Sequence, residues 1–311
     1  MVSNKVSVIM PTYKRGERFL LRSLNSLLMQ KCQNIEIVLI CDNARDDLLE
    51  YRGLVKKIVD NINDDKIKLI QNKENLGASG SRNAGIQVAS GEYITFLDDD
   101  DKYFENKIER QLGFMLENDL DMSFTDLRIH DENDKLVEYR EHSKIKSFDN
   151  DVLMRYHLTR QIAGTNIFMY KANVLREIGG FANDISFGEE YYLMYKTIEM
   201  DFKVGYLTGS DVVLYREGHE HLSKGDNMIK GVIALFEFKR SHFDKLSFSE
   251  RRFVKFRHSA VKAVISYRNG RRFKAFIRVL GTGIRFPILS IKEFFGHFYR
   301  RRKIRKQAKF A

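Results

Sequence analysis

Short apolar runs alternate with helical segments through the first 130 residues, and this alternation constrains the fold more than any other feature. Five runs predict strands, at Val6–Met10, Ile35–Cys41, Ile67–Ile70, Tyr93–Leu97 and Asp121–Ile129. Segments with helical spacing separate them, at Arg18–Gln30, in a stretch ending near Asn61, at Ser79–Val88 and at Lys107–Glu117. Buried strands separated by helices predict a Rossmann-like α/β fold, with a mostly parallel sheet covered by helices on both faces.

Regular patterns weaken after Asp131 and resume at Asn166. The polar stretch from Asp131 to about Tyr156 predicts a loop or an irregular excursion. Beyond it we expect strands at Asn166–Tyr170 and Asp211–Tyr215, and helices near Ala172–Ile178 and at Glu189–Met200. The pair Gly179-Gly180 is predicted to end the first of these helices.

Charge is divided unevenly along the chain. The segment from Met228 to Ala311 holds 23 Lys and Arg against 4 Asp and Glu, a net charge of +19, and the remainder has a net charge of −8. Such asymmetry indicates two regions with different partners. We therefore predict an α/β domain over residues 1–223 and a basic, amphipathic helical region over residues 224–311.

The cysteines and the start of the chain bear on its location. Cys32 and Cys41 have neither the spacing of metal ligands nor that of a disulfide framework, which predicts reduced thiols. No basic segment or cleavage site precedes Val6, and no apolar run approaches the roughly 18 residues that span a bilayer. We expect a cytoplasmic protein, associated peripherally with the inner face of the cell membrane.

Polar residues follow four of the predicted strands. They lie at Pro11–Arg15, Asp42–Asp46, Gln71–Asn83 and Asp98–Asp101. Ligands of parallel sheets bind at the carboxyl ends of the strands, so these segments predict a shared site. The four consecutive aspartates suit a hard divalent cation. A helix N-cap cluster ahead of Lys102–Leu116 explains them equally well, and the residues alone leave both readings open.

Three motifs occur together. They are Val6–Tyr13, Gly80–Gly85 and Gly91–Asp101. With them the chain resembles family 2 glycosyltransferases, inverting nucleotide-sugar enzymes with a GT-A fold, from about Val6 to about Ser223. The resemblance implies transfer of a hexose or N-acetylhexosamine from a UDP-sugar to a hydroxyl of a glycan acceptor. That acceptor is expected to be lipid-linked, in the synthesis of a surface polysaccharide or glycoconjugate.

The resemblance implies a set of donor-binding residues. Pro11, Thr12 and Tyr13 are similar to the segment that packs against the nucleotide base, and Asp42 to the carboxylate that accepts the uracil N3 proton. The family's usual aspartate pair is Cys41-Asp42 here. Arg82 resembles the arginine that contacts base and phosphate, with a surface salt bridge as the alternative. The segment Gly164-Thr165-Asn166 would lie beneath the donor sugar.

Within the aspartate cluster, the resemblance assigns a Mn²⁺ or Mg²⁺ site. Asp100 is expected to be the metal ligand, while Asp98 and Asp99 contact the ribose and support the site. A bridging cation would stabilise the negative charge that develops on the departing UDP. His219 is the candidate for a further metal ligand, with His221 second. For Asp101 we expect only helix capping.

The resemblance places the catalytic base at Glu190, in Gly188-Glu189-Glu190. Inverting transfer needs a base to take the proton of the acceptor hydroxyl. Alternatively, Glu189 and Glu190 only favour a helix N-terminus. Lys196 lies where the family usually has arginine. Gly179-Gly180-Phe181 resembles the family's turn near the acceptor, although turn chemistry alone explains it.

The basic C-terminal region mixes cations with aromatic and aliphatic residues, as in Phe273–Leu280 and Phe286–Phe298. Helices of this kind lie in the headgroup region of anionic membranes. A helical bundle used for oligomerisation is the alternative. Two other functions stay open: nucleic-acid or anion binding by this region, although it lacks a nucleic-acid motif, and an inactive GT-A scaffold.

Overall fold

The computed structural model describes residues 4–42, 49–183, 188–216 and 226–296. These residues belong to two compact units. One is drawn from Met1–Asn150, Ala163–Asn183 and Glu189–Glu217, and the other from Asp151–Ile162, Asp184–Gly188 and Gly218–Ala311. The boundary expected at residue 223 lies outside the described residues and stays a prediction.

The strands and helices have the following bounds. The strands are β1 Val6–Thr12, β2 Ile35–Cys41, β3 Ile67–Gln71, β4 Tyr93–Phe96, β5 Lys102–Tyr103, β6 Met122–Thr125, β7 Leu127–His130, β8 Leu136–Arg140, β9 Phe168–Lys171, β10 Val204–Leu207 and β11 Val212–Tyr215. The helices are α1 Glu17–Leu28, α2 Leu49–Ile62, α3 Gly77–Val88, α4 Lys107–Glu117, α5 Asn150–Arg160, α6 Ala172–Ile178, α7 Glu189–Glu199, α8 Asp226–Ser241, α9 Phe248–Arg268 and α10 Arg272–Arg285.

The first unit contains a seven-stranded sheet in the order β10-β6-β9-β4-β1-β2-β3. All neighbouring pairs are parallel except those of β9, which runs antiparallel to β4 and β6. Every residue of β2 is buried, as a strand covered on both faces requires. The predicted mostly parallel α/β sheet is therefore confirmed.

A smaller sheet has the order β5-β11-β7-β8. Its strands β7 and β11 are parallel, whereas β5 and β8 each pair antiparallel with a neighbour. The short strand β5 follows the four aspartates directly. Pairing of β5 with β11 therefore brings the end of the aspartate cluster beside the Asp211–Tyr215 segment.

Several predicted bounds are confirmed to the residue, namely those of β2, α4 and α6. Gly179 follows α6 with φ of +85°, as expected of a glycine that ends a helix. Strand β1 is longer than predicted, because Pro11 pairs with Ile40 and Thr12 with Cys41. Proline is tolerated there because the pairing of β1 with β4 ends at Ile9, so Pro11 is paired on one side only.

The predicted strand Asp121–Ile129 is two strands in two different sheets. The break falls at Asp126, whose buried carboxylate accepts hydrogen bonds from the hydroxyl of Tyr139 at 2.8 Å, the hydroxyl of Tyr206 at 2.5 Å and the amide of Gly209 at 3.0 Å. Tyr139 belongs to β8 of the smaller sheet and Tyr206 to β10 of the seven-stranded sheet. Their bonds to Asp126 hold the chain where it passes from β6 to β7.

The irregular excursion predicted over Asp131–Tyr156 is wrong in part. It contains β8, an edge strand with the charged residues Glu138 and Arg140, and the first half of α5. Charged side chains are common on edge strands, where they discourage further pairing, and they hide the apolar alternation. Neither β5 nor β10 was predicted from the sequence pattern.

The second unit is helical. Helix α9 packs against both α8 and α10, and after a break at Phe286 residues 287–296 are again helical. Ser247 and Glu250 form a capping box at the start of α9, and Glu250 also forms an ion pair with Arg155 at 3.0 Å. Across the residues described, we find no helix with both the length and the hydropathy of a membrane span.

Candidate active site

The four aspartates after β4 point in different directions. Asp99 and Asp101 are buried, at 5% and 2% exposure, whereas the side chains of Asp98 and Asp100 are 34% and 17% exposed. The helix that follows begins at Lys107, so the helix-capping explanation of the cluster is wrong, for Asp101 as for the others. Two carboxylates are thus held inside the protein and two face outward.

Asp99 is held by the residues that follow β1. Its Oδ2 accepts a hydrogen bond from Thr12 Oγ1 at 2.7 Å, and its Oδ1 accepts one from Arg15 Nε at 2.8 Å. Thr12 Oγ1 also lies 2.6 Å from the hydroxyl of Tyr51. Burial raises the pKa of Asp99 to about 6, with Asp100 adding to the rise and Arg15 opposing it.

Arg15 is a site residue for which the sequence predicted no role. Besides its bond to Asp99, its Nη2 forms an ion pair with Asp100 Oδ2 at 3.0 Å. One guanidinium therefore contacts an inward and an outward carboxylate together. The signal was present in the sequence, because Arg15 follows β1 and the aspartates follow its neighbour β4 at the same edge.

Asp101 joins the cluster to two distant segments. Its Oδ1 accepts a hydrogen bond from the amide of Tyr215 at 2.9 Å, and its Oδ2 accepts one from the side chain of Asn166. The side-chain oxygen of Asn166 accepts in turn from the amide of Asp98 at 3.1 Å. Burial, with Asp100 and Asp98 nearby, raises the pKa of Asp101 well above its usual range. Asn166, which was predicted to lie beneath the donor sugar, thus braces the aspartates.

Arg82 connects the aspartates to the predicted base helix. Its side chain is 6% exposed, and it forms ion pairs with Asp98 Oδ1 at 2.7 Å and with Glu189 Oε1 at 3.0 Å. The guanidinium also lies 5.4 Å from the ring centroid of Phe181. The surface salt bridge considered for Arg82 is therefore wrong, because the arginine is buried.

Glu190 lies in the first turn of α7, next to Glu189. Burial and the neighbouring charge of Glu189 raise the pKa of Glu190 to about 7, and the positive charge of Arg82 opposes that rise. A carboxyl with a pKa near neutrality has the proton affinity that a general base needs. Lys196, further along the same helix, is exposed.

The predicted base-reading segment lies at the ends of β1 and β2. Pro11 and Thr12 belong to β1, so of the expected segment only Tyr13 follows the strand. Asp42 is buried, and its Oδ1 accepts hydrogen bonds from the side chain of Asn72 at 2.8 Å and the amide of Leu76 at 2.9 Å. These bonds fix the carboxylate of Asp42 beside the start of α3.

The turn after α6 packs close to α3. Asn83 donates to the carbonyl of Phe181 and accepts from its amide, each at 2.8 Å. Gly180 has φ of +69°, and a Cβ there would collide with the side-chain oxygen of Asn83. Glycine is thus required for packing beside Arg82, which accounts for the Gly179-Gly180-Phe181 motif without a ligand.

The outward aspartates have the donor chemistry of a Mg²⁺ or Mn²⁺ site, because such ions take one or two carboxylates together with substrate phosphates. Within the described part of the chain, no group of three or more His, Cys, Asp or Glu side chains is arranged to hold a metal ion. The predicted further ligands, His219 and His221, lie outside the described residues. Asp98 and Asp100, each of which forms an ion pair with an arginine, are the partly exposed carboxylates that could hold such an ion.

Comparison with known proteins identifies the family of this chain. A family model described as glycosyl transferase family 2 matches residues 7–179, more than half of the chain. The chain belongs to this family. The matched segment includes Arg15, Arg82 and the four aspartates, and it ends before α7, so Glu190 lies outside it.

Related sequences cover only part of the family member described here. WfgD of Escherichia coli, a UDP-Glc:alpha-D-GlcNAc-diphosphoundecaprenol beta-1,3-glucosyltransferase, is 36% identical over 128 residues, which are 41% of this chain and 47% of WfgD. An uncharacterized glycosyltransferase of Haemophilus influenzae is 42% identical over 118 residues, which are 38% of this chain and 45% of that protein. The chain spans between 18% and 47% of the length of these relatives and of a longer one from Rickettsia bellii.

Solved structures show the fold over most of the chain. The crystal structure of Staphylococcus aureus TarS residues 1–349 in complex with UDP-GlcNAc aligns with a TM-score of 0.57 and 19% identity. The alignment covers 90% of this chain and 91% of the TarS chain. The predicted GT-A fold with a helical C-terminal extension is confirmed.

Proposed function

We propose that this chain is an inverting, metal-dependent glycosyltransferase that moves a sugar from a UDP-sugar to a hydroxyl of a lipid-linked glycan. The observation that carries the proposal is the double ion pair of Arg82. It joins Asp98, in the aspartate cluster, to Glu189, which directly precedes Glu190. A donor site and a general base must lie side by side for direct transfer, and one buried guanidinium links the two motifs.

The donor class follows from the nucleotide-facing residues and from the relatives. Among the described residues, Asn72 and Leu76 both donate to Oδ1 of Asp42, and we assign its Oδ2 to the uracil N3–H. Tyr13, which follows β1, is assigned to the face of the base. WfgD is named for UDP-glucose, and TarS was solved with UDP-GlcNAc, so UDP is the nucleotide that we propose.

A divalent cation, Mn²⁺ or Mg²⁺, would be held by Asp100, with Asp98 beside it. When bound, it supplies positive charge that stabilises the diphosphate as it departs. Asp99 is buried and bonded to Thr12 and Arg15, so we assign it to supporting Asp100 rather than to direct contact with the ribose. Asp98 is the more exposed carboxylate and takes the ribose contact. His219 stays a candidate further ligand.

Glu190 acts as the base. Its carboxylate accepts the proton of the acceptor hydroxyl while that oxygen attacks the anomeric carbon from the side opposite the diphosphate. The new carbon–oxygen bond forms as the bond to the diphosphate breaks, and UDP leaves with that electron pair. The proton remains on Glu190, and the configuration at the anomeric carbon is inverted.

The acceptor class comes from the relatives. WfgD is named for an acceptor on a diphosphoundecaprenol carrier, and by analogy we propose a lipid-linked glycan here. The expected setting, the inner face of the cell membrane in the synthesis of a surface polysaccharide, belongs to the same proposal. It predicts that part of this protein contacts lipid.

Hydrolysis of a panel of nucleotide sugars in the presence of Mn²⁺ tests the proposal. We expect turnover of at least one UDP-sugar, and its loss on removal of the metal with a chelator or in Asp100→Ala. Asp60→Ala is the matched control, since Asp60 lies on α2 with its side chain 58% exposed and pairs only with Lys56 of the same helix among the ion pairs described. Absence of turnover with every nucleotide sugar would contradict the proposal and favour an inactive scaffold.

A further inference from the structure

The most exposed apolar surface of the second unit lies on α10 and the helical residues after it. Ten large apolar side chains there are between 52% and 77% exposed, namely Val279 and nine others that recur at helical spacing. The nine are Phe273, Phe276, Ile277, Leu280, Ile284, Ile288, Ile291, Phe294 and Phe295. We refer to these nine residues as the apolar stripe. Exposed apolar patches of this extent on a soluble domain mark a surface that contacts something else.

Helical spacing places the apolar stripe on one side. Its members on α10 recur at intervals of three, four and seven residues, which lie on one helix face. The helix is interrupted at Phe286, and the members in the helical residues 287–296 recur at the same intervals. Most surface helices turn such a face toward the core. Here the large apolar face is exposed.

The opposite face of α10 packs on α9. Ala275 is 5% exposed on that side, and Arg278 donates from one nitrogen to the carbonyl of Lys262 at 2.9 Å and to the hydroxyl of Ser266 at 2.6 Å. The helix is therefore fixed to the unit by small and polar side chains. The side of α10 that packs on α9 is therefore the small and polar one, and the apolar stripe lies on the other side of the helix.

Cations border the apolar stripe. On α10, Lys274 and Arg285 fall at one margin on helical spacing and Arg272 falls at the other; Lys292 borders the members of the apolar stripe beyond Phe286. Glu293 is the one acidic residue in the sequence from 272 to 296. Long basic side chains at the edge of an apolar face reach the headgroups of a bilayer while the face itself enters the acyl region.

We propose that the apolar stripe lies on an anionic lipid surface, with the axis of α10 in the plane of that surface. The orientation follows from the packing on α9, which leaves one side of the helix for lipid. Charge decides between lipid and a second copy of this chain. Two copies would bring the same cations together, whereas anionic headgroups supply the opposite charge. The inference stands on the second unit and does not depend on the proposed sugar donor.

Flotation of the full chain with vesicles tests the inference. Binding is measured with phosphatidylcholine vesicles that contain about a quarter phosphatidylglycerol, and with phosphatidylcholine alone. The stripe variant Ile277→Asp with Ile284→Asp is compared with Met29→Asp with Leu116→Asp, which adds the same charge at exposed apolar positions of the other unit. We expect the stripe variant to lose at least about tenfold in affinity for anionic vesicles, and the control to bind as the wild type does.

Three results would overturn the inference. They are failure of the wild type to bind anionic vesicles, equal losses in the two double variants, and a stripe variant that binds normally but dissociates a dimer in sedimentation. The last result would make the apolar stripe an interface between copies. Hydrolysis of UDP-sugar without vesicles is expected to be unchanged in both variants, so failure of flotation and failure of the proposed function are separately observable.

Discussion

At the two edges of the seven-stranded sheet, the pKa values of buried carboxyl groups are shifted in opposite directions. At the amino edge, Glu36 accepts hydrogen bonds from Ser7 Oγ at 2.5 Å and from the amide and hydroxyl of Ser90 at 2.6 and 2.8 Å. Burial alone would raise the pKa of Glu36, but these bonds and Lys5 outweigh it and lower the pKa to about 2. At the carboxyl edge, the pKa of Asp99 is raised to about 6.

We interpret the difference as one between a carboxylate that stabilises the fold and carboxylates that serve the proposed function. Glu36 ties β1 and β2 to the turn before β4, and its ionised form is the one that the fold favours. At the carboxyl edge, Asp98–Asp101 crowd one short segment, and burial there raises the pKa values of Asp99 and Asp101. Arg15 and Arg82 supply positive charge beside this segment. Perturbed carboxylates gathered at one edge of a sheet are typical of a site that binds a cation or polarises a substrate.

The largest expected effect is that of Glu190→Gln. Because the amide cannot take the proton of the acceptor hydroxyl, we expect the transfer rate to fall by about 10²- to 10⁴-fold while binding of the donor is retained. Single-turnover kinetics measure the rate, and calorimetry with UDP measures binding. Glu36→Gln is the control from the other edge, with the same chemical change. Equal losses of transfer rate in the two variants would contradict the claim that Glu190 acts in catalysis and Glu36 in stability.

For the free energy of unfolding, we expect the larger effect from Glu36→Gln at the amino edge and the smaller one from Glu190→Gln. Glu36→Gln replaces an acceptor with an amide that cannot accept every bond from Ser7 and Ser90, so we expect a loss of about 1–3 kcal/mol in the free energy of unfolding. Glu190→Gln removes a carboxylate whose ionisation is disfavoured, so no loss is expected above pH 7. Denaturant unfolding of the two variants at pH 8 is the measurement. A larger loss in Glu190→Gln would reverse the assignment of the edges.

The pH dependence of transfer tests the role of Glu190 as the base. Since the pKa of Glu190 is raised to about 7, its basic form is lost below that pH, and kcat/KM is expected to fall about tenfold per unit there. The metal concentration is kept saturating throughout as a control. A rate that stays constant between pH 5 and pH 8 would exclude Glu190 as the base.

Stability depends on pH with opposite signs at the two edges. The pKa of Glu36 is lowered, so its stabilisation is present above its usual pKa and is lost as the pH falls toward 2. The pKa of Asp99 is raised, so the stabilisation from its neutral form is lost as the pH rises through about 6. Acid unfolding is therefore expected to shift in Glu36→Gln.

The smallest expected effect is that of Arg15→Lys. Lysine keeps the charge but cannot contact Asp99 and Asp100 with two nitrogens at once, so we expect UDP with Mn²⁺ to bind about 3- to 10-fold more weakly. Arg18→Lys, at an exposed position on α1, is the matched control. Calorimetric titration compares the two. If both variants bind like the wild type, Arg15 does not organise the outward carboxylate.

Local pattern was enough to predict the parallel core of the fold. Strands such as Ile35–Cys41 are buried throughout, so an apolar run identifies them without knowledge of their neighbours. The same kind of pattern predicted one strand where the structure has β6 and β7, because Asp126 is the single residue that interrupts an otherwise apolar alternation. Its partners Tyr139 and Tyr206 come from elsewhere in the chain, and no local rule contains them.

For the candidate site, too, the sequence pattern predicted one part and missed another. The segment after β4 was predicted as a ligand site because carboxyl ends of neighbouring strands share one edge. Which aspartates face inward was not predictable, since Asp101 is fixed by Asn166 and by the amide of Tyr215, far along the chain. The buried state of Arg82 likewise depends on Glu189.

The configuration of the sugar released from an α-linked UDP-sugar tests the central claim most directly. One base at Glu190 and direct displacement of UDP predict inversion, so proton NMR during hydrolysis should detect the β-anomer first, before it equilibrates. Initial appearance of the α-anomer would contradict the account, because retention cannot arise from a single displacement at this edge of the sheet.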